Sequence, residues 1–260
     1  MLEKLSRELE APGYSKNLED CVDEANGLLA GDFYLLRIEK SLNAGRLSGH
    51  YLRFTATMFL KKDVNIKDVK TITPPANSII VFPEGGVHFL EKSSLLFSPY
   101  PVFVISAKAG EEQVTPKTLL GLCVFLKSSF LLWYLLTIHE TEDVFEFLMR
   151  SFDRLPLPSD PKLLDVLGAY GEQIINAERK VLKDLANGKL DEAQREVMVV
   201  KHNDESSATL RQADREIMKA LQFSESEIRE LARALGDLRV SDYAIGSNLD
   251  GFVKSVMASA

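Results

Sequence analysis

The chain has 260 residues, enough to bury a substantial core in one or two domains, and its 45% hydrophobic and 27% charged residues are those of an ordinary folded soluble protein. Two distant cysteines, Cys21 and Cys123, exclude a disulfide framework and a cysteine-based structural zinc site, and they point to a reducing compartment. A net charge of −7 argues at first sight against a nucleic-acid partner.

In chain order, residues 1–29 read as helical, with LEKLSRELE amphipathic and a second, turn-rich helix from Asn17. The start, MLEKLSRELEAPG, lacks the apolar region of a signal peptide, so a cytoplasmic protein is expected. Gly31-Asp32 breaks the pattern, FYLLRI (33–38) reads as a strand, and SLNAGRLSG as a polar turn. From Tyr51 to Leu60 polar and apolar residues alternate with period two, the pattern of a half-buried strand. SIIVF (78–82) and VFVIS (102–106) are short β-branched runs with the turn-forming PEGG between them.

An apolar helix is expected over 117–138. Its length raises the possibility of a membrane span, but Lys127, Ser128 and Ser129 sit at its centre, where a charge is costly in lipid, so a buried core helix is the better reading. DVFEFLMRSF (143–152) reads as helical, and the alternate prolines of LPLP (155–158) force an extended chain. Ser159-Asp160-Pro161 then starts a helix with apolar residues from Leu163 to Leu185 at helical spacing, stopped by Asn187-Gly188. A further helix is expected from about Leu190 to Leu221, interrupted by KHNDESS at 201–207, its thin apolar stripe suggesting a coiled-coil arm. Ser224 and Glu227 form a capping box, with Phe223 and Ile228 as the hydrophobic staple, for a last helix to about Leu235.

These elements predict an α+β fold, with a β-rich lobe and packed helices over 1–158 and a helical, coiled-coil-like region over 159–260. The charge is uneven. Between residues 37 and 70, eight basic side chains (Arg37, Lys40, Arg46, Arg53, Lys61, Lys62, Lys67 and Lys70) face three acidic ones, a local excess of +5 that leaves −12 elsewhere. Such a patch can bind a phosphate backbone, or be merely a solvated face.

Residues for chemistry are missing. His50, His88, His139 and His202 are scattered without metal-ligand spacing, so neither a metal nor a cofactor is expected. The one Pro-Pro, in Thr73-Pro74-Pro75-Ala76, lacks the flanking residues of an amino-methyltransferase loop. A metal-dependent nuclease would pair Glu84 with an acid-x-Lys, but Ser106-Ala107-Lys108 has serine where the second carboxylate belongs. No GxSxG occurs, and Cys123 lies in the most apolar segment.

Three stretches, in this order, resemble the carboxy-terminal specificity domain of N6-adenine DNA methyltransferases of type IIG and type I-like restriction–modification systems. They are SIIVFPEGGVHFLEKSSLLFSPYPVFVIS (78–106), LLGLCVFLKSSFLLWYLL (119–136) with downstream RLPLP (154–158), and ADREIMKALQFSESEIRELARAL (213–235). Lys127-Ser128-Ser129 stands where the family has an Asn-Ser-Lys-type triplet, and residues 1–77 show little to match. The resemblance implies a DNA target-recognition module that is not itself an enzyme: a stand-alone specificity protein, a split-gene product, or a relative that has lost DNA binding. It implies double-stranded DNA and an adenine methyltransferase subunit as partners, with a possible homodimer through the C-terminal helices and no membrane. Arg46 and Arg53 are then candidates for base or close phosphate contact; Arg37, Lys40, Lys61, Lys62, Lys67, Lys70 and the loop residue Lys92 are candidate backbone contacts. The competing reading is a structural or regulatory interaction protein without DNA.

Overall fold

Strand-forming runs without polar alternation must be buried on both faces, and the central strand of this protein is. A computed structural model describes residues 15–17, 22–24, 73–82, 86–93, 103–107, 114–138, 156–158, 161–186 and 190–237. The strands are β1 (Ser15–Asn17), β2 (Val22–Glu24), β3 (Ser78–Phe82), β4 (Gly86–Leu90), β5 (Phe103–Ala107) and β6 (Pro156–Pro158). The helices are α1 (Pro116–Leu126), α2 (Ser129–Ile138), α3 (Pro161–Ala186), α4 (Glu192–Ala220) and α5 (Glu225–Asp237). The described residues thus make an α+β arrangement, mostly helical with a small antiparallel sheet.

The sheet has the order β2-β5-β3-β4, every pairing antiparallel. Ile79 lies opposite both Phe89 and Ile105, and Ile80 opposite His88 and Val104. Ile79, Val81, Val87, Phe89 and Ile105 join the main hydrophobic cluster; Ile80, His88 and Val104 are buried on the other face. The prolines that precede β3 are held by serine hydroxyls: Ser78 donates to the Pro75 carbonyl and Ser93 to the Pro74 carbonyl, both at 2.8 Å. As LPLP requires, β6 is extended, and it pairs with β1.

Helix α1 begins at a reciprocal cap, Thr115 with Thr118, and Pro116 at its first position needs no hydrogen-bond partner for its nitrogen. Asp191 and Gln194 cap α4 in the same way. At α5 the expected box forms: Ser224 N–H donates to Glu227 Oε2 at 2.7 Å, and Glu227 N–H to Ser224 Oγ at 3.4 Å. The turn from α4 to α5 places Gln222 in the left-handed region (φ 59°), so that Phe223 N–H closes on the Met218 carbonyl at 2.9 Å. That fold-back stacks Phe223 edge-on against Trp133 of α2, centroids 6.4 Å apart at 90°. One hydrophobic cluster runs from the sheet through α1 and α2 to α3, α4 and α5. Leu185 and Val199 with their neighbours form a smaller one towards the α3–α4 turn.

Four expectations need correction. Residues 15–17 and 22–24, read as part of a helical segment, are strands, because short polar stretches can be recruited by a partner strand whatever their own pattern. Between the two expected strands lies a further one, β4, which begins at the last glycine of PEGG and where the sequence reading expected only a turn. The single apolar helix over 117–138 is two helices divided at Lys127-Ser128. Conversely, the expected interruption at 201–207 is absent, since α4 runs unbroken from Glu192 to Ala220. The helix LEKLSRELE, the strands at 33–38 and 51–60 and the helix at 143–152 lie outside the described residues.

Candidate functional site

Of the nine basic residues singled out for DNA contact, Arg37, Lys40, Arg46, Arg53, Lys61, Lys62, Lys67 and Lys70 lie outside the described residues, as do Glu84 and Lys108 of the nuclease alternative. Lys92 is described and exposed, just beyond the end of β4. Its neighbour Glu91 is gripped by Arg179 of α3 through both carboxylate oxygens, the Nε contact measuring 3.2 Å, while Arg179 also donates to Asn176 Oδ1 at 2.9 Å. This forked pair ties the end of β4 to α3.

The most organised polar chemistry lies inside the protein, where the apolar segment 119–138 divides. A helix start leaves backbone N–H groups without partners, and at this depth water cannot supply them. Lys127, Ser128 and Ser129 are all buried. Ser128 Oγ accepts from Leu131 N–H at 3.2 Å, so Ser128 is the local cap of α2. Asp214, itself buried and 85 residues later on α4, supplies the rest. Ser129 N–H donates to Asp214 Oδ1 at 2.9 Å and Ser129 Oγ–H to Oδ2 at 3.0 Å. A carboxylate at a helix N-terminus also meets the positive end of the helix dipole. The outgoing end of α1 is closed by Ser128 N–H on the Phe125 carbonyl at 2.9 Å.

A second buried polar set joins α3 to α4. His202 Nε2 lies 3.5 Å from Glu178 Oε1 and 3.1 Å from Ser206 Oγ, with all three side chains buried. The composition is that of an acid–histidine–serine triad, but the geometry is not. Such a triad needs the acid on one ring nitrogen and the nucleophile on the other. Here both partners converge on Nε2, and Nδ1 has no partner in its buried surroundings. The set therefore pins one helix to another and cannot pass a proton from serine to acid.

Cys123, on α1, is acted on by the Lys127 and Glu178 charges together. Burial is the largest influence and pushes its thiol up to about 12, Lys127 pulling down and Glu178 adding to the rise. The folded-state value exceeds the ordinary 9.0, so the neutral thiol stabilises the fold fully below pH 9 and that contribution is lost as pH rises towards 12. In a Cys21→Ser background, Cys123 is expected to resist neutral-pH thiol reagents until the protein unfolds. Stability should fall through this window by up to about 1.4 kcal/mol per pH unit more than in Cys123→Ala. Fast labelling of the folded protein would contradict the buried placement.

Sequence reasoning missed Asp214, Glu178, His202 and Ser206 as partners. The available signal was polar residues falling in register with the apolar stripe of α4: His202, Ser206 and Asp214 share it with Val199, Leu210, Ala213, Ile217 and Leu221. That same substitution pattern is what made the stripe look thin. Among the described residues no group of three or more His, Cys, Asp or Glu is placed to hold a metal ion, and no helix is long and apolar enough to cross a membrane. Comparison with protein-family models, curated proteins and solved structures finds no match to this chain.

Proposed function

We propose that this chain is a DNA target-recognition module of a restriction–modification or related phage-defence methyltransferase system, which binds duplex DNA and leaves the chemistry to an adenine methyltransferase subunit. The observation that carries this reading is the meeting of the three stretches in which the resemblance lies. Strands β3 and β5 from the first contribute to the hydrophobic cluster that holds α1 and α2 from the second, and Asp214 from the third caps α2. Stretches that resemble one domain in order also form one packed unit.

In this reading residues 1–158 are the recognition lobe, working in the cytoplasm, with Arg46 and Arg53 at or near the bases and the surrounding lysines on phosphates. The helices of 159–260 act as a coiled-coil-like spacer that docks the methyltransferase subunit or a second copy of the chain. Val197 and Val200 on α4, 66% and 48% exposed, favour a protein contact along this arm. They equally favour the second reading, a structural or regulatory interaction protein without DNA.

Salt separates the two, because a DNA reader must release condensed counterions and a scaffold need not. Fluorescence anisotropy with a random-sequence duplex should show binding that weakens steeply between low and moderate salt and is lost in Arg46→Glu/Arg53→Glu. A wild-type chain that fails to bind duplex even at low salt would leave the interaction-protein reading in its place.

A further inference from the structure

We draw no further inference here: the strongest candidate, the surface patch that the exposed Val197 and Val200 make on the outer face of α4, is a small apolar face, and nothing in the structure shows what covers it.

Discussion

Replacing Asp214 with alanine is expected to destabilise the protein by about 3–5 kcal/mol, seen as a large fall in the urea midpoint with little change in slope. The side chain accepts from both Ser129 donors, the backbone N–H and the hydroxyl, and all of these groups are buried. Hydrogen bonds to a charged acceptor contribute roughly 1.5–3 kcal/mol each, and a buried N–H left without a partner costs about 1–3 kcal/mol. The loss of a helix cap belongs to the same set of contacts and is not simply additive with them. Asp214→Asn keeps an oxygen towards the helix but loses the charge, so a smaller loss of about 1–2 kcal/mol is expected. A double-mutant cycle with Ser129→Ala should give a coupling above about 1 kcal/mol. An Asp214→Ala protein within 0.5 kcal/mol of wild type would show that α2 does not begin on this carboxylate.

Gly121→Ala is expected to lower stability by about 3 kcal/mol, a fall of roughly 6–12 °C in Tm for a domain of this size, although alanine is the better helix former by about 1 kcal/mol. The reason is the distance between two helices. A Cβ on Gly121 would run into the backbone carbonyl of Leu164 on α3, and a Cβ on Gly168 would lie 2.5 Å from the Lys117 carbonyl oxygen on α1. Backbone carbonyls cannot rotate aside as a side-chain end can, so α1 and α3 would have to separate along a densely packed contact. At Gly171 the obstacle is the Leu120 side chain, 2.5 Å from the added carbon at its Cγ, so Gly171→Ala should cost less because leucine can change rotamer. Thermal melts of the three alanine variants give the order. A Gly121→Ala protein as stable as wild type would mean that α1 and α3 do not approach this closely.

Both effects arise at places where a one-dimensional reading of the chain goes astray for an identifiable reason. Gly121 lies inside an apolar helix, where composition marks it only as a weak helix former; its purpose is set by a carbonyl 43 residues away in sequence. Lys127-Ser128-Ser129 was legible as an anomaly in an apolar run but not as a helix break. A serine can continue a helix or cap a new one, and the choice here goes with a carboxylate from α4. The polar heptad KHNDESS misled in the opposite direction. It looked like an interruption because His202 and Ser206 are polar, yet Glu178 on α3 lets them be buried without breaking the helix.

What the sequence determined by itself was whatever rests on local chemistry. The Ser224–Glu227 box, the proline start of α3, the extended chain at Pro156–Pro158 and the strands Ser78–Phe82 and Phe103–Ala107, the last shifted by one residue from the expected 102–106, all follow from rotamers, caps and backbone restrictions acting over a few residues. Tertiary structure alone decided which polar residues enter the core and what they hold there. A buried carboxylate, imidazole or lysine is tolerable only beside the right partner, and partners such as Ser129 and Asp214 are brought together by packing across 85 residues.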